Sequence, residues 1–241
     1  MELWSFALNK ILTYFKPGEL ALWFFSVVCI VASFFIFGAT GYLSLIASVI
    51  GVSALVFFAK GNPIGQVLII IFAVLYAIIS FDLAYYGEMI TYLGMSAPMA
   101  AMALVSWVRN PYEKGHAEVK IERIRPLDVL IIFVLTLAVT VLFYFVLKVL
   151  GTASLIVSTV SVSTSFFAVC LSYKRSPYYA LAYVANDLVL MVLWIIAALE
   201  NTAHVSVVVC FTVFLINDTY SFISWLKMRN KQEKNAESQA A

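Results

Sequence analysis

Charge is what this chain has least of. Only 12% of its 241 residues are charged, while 63% fall in the apolar set AVILMFWYC. Soluble domains carry about 25% charged residues, so an ordinary water-soluble enzyme is excluded and lipid is the expected solvent. The net charge of +2 is too small to point to a nucleic-acid partner. Cysteine is scarce as well: Cys29, Cys170 and Cys210 lie far apart in apolar runs with no C-x-x-C spacing, which reads as reduced, packed thiols. The two histidines, His116 and His204, belong to no H-E-x-x-H or zinc pattern, and neither G-x-S-x-G nor a phosphate-cradling glycine loop is present. No enzyme chemistry, cofactor or metal is therefore expected. Glu2 and Trp4 stand where a signal peptide would be basic, and the first long apolar run begins near Leu20 without an A-x-A site, so that run is expected to stay in the membrane.

What the chain does have is length of apolar sequence. A bilayer core of about 30 Å needs about 20 helical residues, because backbone polar groups in hydrocarbon must be satisfied within the segment. That ruler predicts an all-α polytopic protein with eight transmembrane helices, over residues 20–37, 40–59, 64–82, 85–107, 127–149, 153–172, 178–199 and 203–226. Tight returns are expected at Gly38-Ala39-Thr40-Gly41 and around Ala84-Tyr85-Tyr86-Gly87-Glu88. Residues 1–19 read as an interfacial segment, with Trp4, Leu8, Ile11, Leu12 and Phe15 at helical spacing before Pro17-Gly18. Residues 108–126 form a loop and 227–241 a tail, polar and expected to fray from Asn230 onward.

The loop charges test this count. Of fifteen basic residues, all except Lys148 fall in the N-terminal segment, the tail and alternate loops, while Asp82, Glu88, Glu200 and His204 fall in the other loops. The positive-inside rule then places both termini in the cytoplasm.

Two blocks resemble each other. Residues 41–48, GYLSLIAS, match 151–158, GTASLIVS; Lys60-Gly61-Asn62-Pro63 matches Lys174-Arg175-Ser176-Pro177; Ser106-Trp107 matches Ser224-Trp225. A three-span unit ends on the side opposite to its start, so the helix at 127–149 is needed to bring a second unit in parallel. The reading is 1+3+1+3, with repeats at 40–107 and 151–226, an additional helix at 20–37 and a linker helix at 127–149. Parallel repeats place a substrate site between the halves near the midplane. Duplication for stability alone would give the same pattern without a site.

Polar side chains inside these spans are the site candidates. Asn186 and Asp187 fall near the middle of the seventh span, and Asn217 and Asp218 in the last third of the eighth. A carboxylate at the bilayer centre costs at least about 2.5–3.5 kcal/mol, so such groups should face a protein interior or an aqueous cavity. Tyr76, Tyr179, Tyr183 and Tyr220 supply aromatic surface, and Gln66 completes the set. Aromatic faces beside a few amides suit a planar heterocycle, and a cationic one gains a cation–π term. Trp107, Tyr178 and Trp225 lie at span ends and read as interfacial belt residues. The serine faces Ser44, Ser48, Gly51 and Ser154, Ser158, Ser161, Ser165 read first as helix-packing surfaces, and otherwise as the lining of a polar route.

The chain also resembles a known family. Lys60-Gly61-Asn62-Pro63-Ile64-Gly65, Leu75-Tyr76, Tyr86-Gly87-Glu88, Pro98, Trp107, Asn217-Asp218-Thr219-Tyr220 and Trp225 look like the PnuC family of bacterial inner-membrane vitamin transporters. The resemblance implies a sugar-transporter-like (SWEET-like) 3+1+3 core, a homotrimer, and facilitated diffusion of nicotinamide riboside that a cytoplasmic kinase traps by phosphorylation. Relatives serving thiamine or riboflavin leave another aromatic vitamin open, and a non-transporting membrane interaction protein is the reading from a different class. The family's seventh span carries two tryptophans and then an asparagine; here Tyr179 and Ala182 stand at the tryptophan places and Asn186 at the asparagine place.

Overall fold

The computed structural model describes residues 13–37, 41–82, 86–152 and 154–240. Eight helices long and apolar enough to cross a membrane are present among them, as the sequence predicts. They are α1 (Pro17–Ile36), α2 (Tyr42–Ala59), α3 (Ile64–Asp82), a fourth crossing built from α4 (Tyr86–Thr91), a π turn (Tyr92–Ser96) and α5 (Ala97–Arg109), then α6 (Pro126–Val149), α7 (Leu155–Tyr173), α8 (Tyr178–Glu200) and α9 (Val205–Ala240). Most of the interfacial segment, residues 1–12, and the return at 38–40 lie outside the described residues.

Six crossings close a ring: α2 packs on α3, α3 on α5, α5 on α7, α7 on α8, α8 on α9 and α9 back on α2. The other two stand outside it, α1 against α2 and α9, and α6 against α7. These two peripheral helices begin alike. Each opens with a basic residue followed by proline at the first helical position, where the missing N–H costs nothing. Each then carries an acid three residues after the basic one, and that acid accepts from the basic residue's backbone N–H: Glu19 from Lys16 at 2.8 Å and Asp128 from Arg125 at 3.3 Å. The same two acids then reach the corners between the first and second ring helices of each half: Glu19 pairs with Lys60 at 3.1 Å, Asp128 with Lys174 at 2.8 Å.

The corners themselves match. Gly61 and Arg175 both adopt positive φ, 60° and 54°. In each corner one backbone N–H bonds three residues back and the next bonds five residues back: Gly61 to Phe58 and Asn62 to Phe57, Arg175 to Ser172 and Ser176 to Leu171. Each corner's carbonyls are then capped from the opposite half. Trp107 Nε1 donates to Ser172 O at 2.8 Å and Trp225 Nε1 to Phe58 O at 2.6 Å, while Ser106 Oγ donates to Tyr173 O and Ser224 Oγ to Ala59 O, both at 2.7 Å.

Both tryptophans are fully buried, which corrects the belt reading; their indole N–H groups have carbonyl partners in the protein, so they need no headgroup region. Tyr178, 44% exposed, keeps the position of a belt residue. The tail corrects a second expectation. Helix α9 runs on to Ala240, because the loop after α5 folds against it: Gln232 Nε2 donates to Glu118 and to Val119 O, Gln232 Oε1 accepts from Ile121 N, Arg123 pairs with Glu233, and Asn235 reaches the Tyr112 hydroxyl.

A third correction concerns the repeat's first anchor. The residues immediately preceding α2 and α7 are Gly41 and Ser154, so by distance from the helix start Ser154 stands where Gly41 does, and Gly151, also at positive φ, lies three residues earlier. The serine motifs of the two blocks are offset by most of a helical turn relative to the helices that carry them.

Candidate functional site

The ring of six crossings surrounds a cavity of about 140 Å³. It runs from Phe58, Val169 and Asp218 to Glu88, Leu147, Thr152 and Trp194 toward the far end. Below Phe58, at the end that carries the basic corners, an aromatic cluster closes the ring. Tyr179 packs edge-on against Phe58, Trp107 and Trp225 at centroid distances of 6.0, 6.2 and 4.8 Å, and Trp107 lies 5.2 Å from Trp225.

Four of the predicted site residues line the cavity: Tyr183, Asn186 and Asp187 from α8, and Asp218 from α9. Asn186 is held by α7, its Oδ1 accepting from Thr164 Oγ1 at 2.8 Å and Ser165 Oγ at 2.9 Å. With its carbonyl taken, Asn186 can offer a ligand the two N–H groups of Nδ2. Asp187 and Asp218 are both buried, with their carboxyl groups in hydrogen-bonding contact.

Five others are placed elsewhere, each for a visible reason. Asn217 faces α1, donating to Ser26 Oγ at 2.9 Å and to Val213 O at 2.8 Å, so it joins the peripheral helix to the ring. Tyr179 belongs to the closing cluster, with its hydroxyl toward Phe58 O. Tyr76 is buried one layer behind the lining, 4.8 Å from Phe72 and 5.2 Å from Tyr92 between ring centroids. Tyr220 hydrogen-bonds Glu19 at the foot of α1. Gln66 is buried between the halves and donates to Ser172 Oγ at 2.9 Å. A polar residue in a span thus marks a protein interior, but that interior is as often a helix contact as a cavity.

Other lining residues escaped the sequence reading. Glu88 was expected in a return; it stands in helix α4, hydrogen-bonded to Ser80, and lines the cavity with Thr91, Tyr92, Met95 and Ser96. That spacing of three, four, seven and eight residues is a helix face, and it is legible once the return is made shorter. The π turn at Tyr92–Ser96 widens the helix where these side chains enter, as π bulges do at functional sites. Ser158, Ser161 and Ser165 line the cavity, so the serine face of α7 is a polar wall and not a packing surface alone. In α2, by contrast, Gly51 packs directly under Phe72 and Phe214, as the packing reading expects. Among the described residues that line the cavity there are three acids and no lysine, arginine or histidine.

The family model described as nicotinamide mononucleotide transporter matches residues 41–227, which take in most of the chain and the ring up to the last turns of α9. The chain belongs to this transporter family. It is therefore a multi-pass membrane transporter and not an enzyme. It is similar to the nicotinamide riboside transporter PnuC of Neisseria mucosa, 27% identical over 213 residues, which cover 86% of this chain and 81% of that one. Its fold matches the crystal structure of the vitamin B3 transporter PnuC, with a TM-score of 0.77 over 90% of this chain and 94% of that chain at 21% identity. In such a transporter the cavity enclosed by the ring is the candidate substrate site, and the aromatic cluster lies below it at one end.

Proposed function

We propose that the protein carries nicotinamide riboside across the bacterial inner membrane by facilitated diffusion, with a cytoplasmic kinase trapping the product by phosphorylation. The observation that carries the choice of riboside is the charge of the cavity. The family's description names a mononucleotide and the curated relative a riboside. A phosphate would enter a space lined by Glu88, Asp187 and Asp218 with no basic side chain to meet it, and an unpaired like charge in an enclosed site is strongly unfavourable. A nucleoside without phosphate fits. Its ring finds Tyr183, Tyr92 and Trp194, and its amide and hydroxyl groups find Asn186 and the serines of α7.

The route is read from the reciprocal contacts. Matching corners, matching acid–lysine pairs and tryptophans that cap each other's corners support two parallel units, α2 to α5 and α7 to α9, in the 3+1+3 arrangement of SWEET-like folds. Helices α1 and α6 serve their units alike, so each functional unit has four crossings. Rocking of the units about the cavity opens it to one side at a time. The four hydrogen bonds from Ser106, Trp107, Ser224 and Trp225 join the halves at the basic end, and passage to that side requires parting them. The positive-inside rule makes that end, with both termini, the cytoplasmic one. Helix α6, whose Leu130, Phe133, Leu137 and Phe145 are exposed, offers the surface for the homotrimer that the family resemblance implies.

The test is uptake by the purified protein in liposomes offered labelled nicotinamide riboside, nicotinamide mononucleotide and thiamine at equal concentration. Saturable entry of the riboside, equilibrating at the external level without a kinase, is the expected result. Absence of saturable riboside entry overturns the substrate, and accumulation above the external level overturns facilitated diffusion.

A further inference from the structure

Asp187 and Asp218, from neighbouring helices α8 and α9, are 3% and 2% exposed, line the cavity and lie in hydrogen-bonding contact with each other. No N–H or O–H of the described protein reaches Asp187 Oδ2 or Asp218 Oδ1. Ionised carboxylates have acceptors only, so two in contact need a proton between them. The pair then acts as one unit with one proton and one negative charge. Around it stand Tyr183 and Tyr179 of α8 and Cys210 of α9, none of them a cation. Glu88 of α4, hydrogen-bonded to the neutral hydroxyl of Ser80, lines the cavity toward its far end, apart from the pair, and supplies no cation. The charge of the pair therefore has no counter-ion in the cavity, although uncompensated buried charge is among the costliest features a fold can keep.

We propose that the Asp187–Asp218 pair, holding one shared proton, is the counter-charge for a permanently cationic, N-substituted aromatic heterocycle, and that this charge match selects the substrate. The inference rests on the reading above that the cavity is the substrate site. The single charge of the pair equals the single charge of a pyridinium or thiazolium ring. The faces of Tyr183, Tyr92 and Trp194, all lining the cavity, add to the attraction. Asn186, one residue before Asp187, is then placed to address the ring's substituents while the pair addresses its charge.

The test compares cations with neutral molecules of the same shape. Binding to the purified protein in detergent is followed by calorimetry for nicotinamide riboside against its 1,4-dihydro form, and for thiamine against its analogue with a neutral ring in place of the thiazolium. The cation is expected to bind at least about tenfold more tightly than its neutral counterpart. Asp187→Asn and Asp218→Asn, made singly, each leave one carboxylate held by an amide and so keep the preference. The double variant, whose two amides can still bond each other, loses it. Equal binding of cation and neutral form by the unaltered protein overturns the proposal. So does a double variant that folds and still prefers the cation, and so does loss of the preference in either single variant, which needs no second substitution to be informative. Saturable riboside uptake together with equal binding of the dihydro form would refute the charge match and leave the riboside reading intact. A cation preference seen for thiamine, with no riboside uptake, would do the reverse.

Discussion

Counted from Pro63 and Pro177, the residues Ile69, Phe72 and Ala73 stand at the same steps of α3 as Tyr183, Asn186 and Asp187 do of α8, and all six line the cavity. Counted back from Trp107 and Trp225, Ala100 matches Asp218, and both of these line it too. At these four matched positions the two walls carry opposite chemistry, apolar side chains from the first half and phenol, amide and carboxyl from the second, while the first half's polar lining, Glu88, Thr91 and Ser96, comes from the fourth crossing alone. On the reading proposed above, the matching backbone positions set the substrate space between two units that rock against each other. On the same reading, the difference in side chains at these matched positions lets a heterocycle with one substituted edge bind in a single orientation.

The largest effect should come from erasing that difference. Ala73→Asp places on the apolar wall the residue that Asp187 is on the polar one, but without a carboxyl partner in matching position. Ala73 is 1% exposed, and an unpaired charge buried there should cost about 3–5 kcal/mol. The expected outcome is loss of folded protein in a thermal unfolding assay in detergent. Unchanged stability would mean that the apolar wall is accessible to water and the contrast between the walls is shallow. Next in size is Asn186→Ala, which removes the polar wall's amide and the Ser165 hydroxyl's bond to it, while Thr164 Oγ1 keeps Val160 O and Ser161 O, each at 3.0 Å. Riboside uptake should fall to about a hundredth, the loss of about 2–3 kcal/mol for hydrogen bonds to a ligand, at unchanged protein level. Phe72→Ala, its counterpart on the other wall, should weaken uptake while sparing discrimination among ring substituents. Near-normal transport by Asn186→Ala would remove that residue from the site.

Below the walls the halves are alike, and there the variants should behave alike. Trp107→Phe and Trp225→Phe each leave one corner carbonyl without its indole donor, at about 1–3 kcal/mol. Equal destabilisation is expected from the two, with a shift toward the state open on the basic side, read as faster labelling of a cysteine placed in the cavity from that side. A large effect of one tryptophan and none of the other would show that the reciprocal capping is only geometric.

Much of this was legible from residue types in order. The eight spans follow from runs of apolar sequence about the length of the bilayer, and the matching corners from Lys60 to Pro63 and Lys174 to Pro177. Asn186, Asp187 and Asp218 point to the cavity because ionisable and amide groups deep in a span have to face protein or water, and Tyr183, chosen as aromatic surface, lines it beside them. The same rule misplaced Asn217, since α1 offers it Ser26: sequence shows that a polar group needs a partner, not which helix supplies it. Glu88 was missed for a related reason. A Tyr-Gly-Glu stretch has the composition of a turn, and only the helix that continues through it turns the carboxyl inward. The belt reading of Trp107 and Trp225 failed because distance along a span places a residue at an end without saying whether it faces lipid or the opposite half.

The smallest expected effect tests the two corners, which share a conformation but not a residue. Gly61 at φ 60° needs no Cβ, and one added there would lie 3.2 Å from Val119 Cγ1 and 3.3 Å from Met228 Sδ. Arg175 adopts the same conformation with a side chain and offsets its strain with contacts: Nη1 donates to Ser106 Oγ at 2.8 Å, Nε to Lys120 O at 3.1 Å, and Nη2 pairs with Glu122. Gly61→Ala should therefore cost about 1–2 kcal/mol, the penalty of a left-handed residue with a Cβ. Arg175→Gly removes that penalty together with the contacts that offset it, so its net change should be smaller. Both are read as midpoints of thermal unfolding in the same detergent. If Arg175→Gly proves the more damaging of the two, the corner is held by the arginine's bonds to the loop after α5, and the shared backbone shape follows from them instead of setting them.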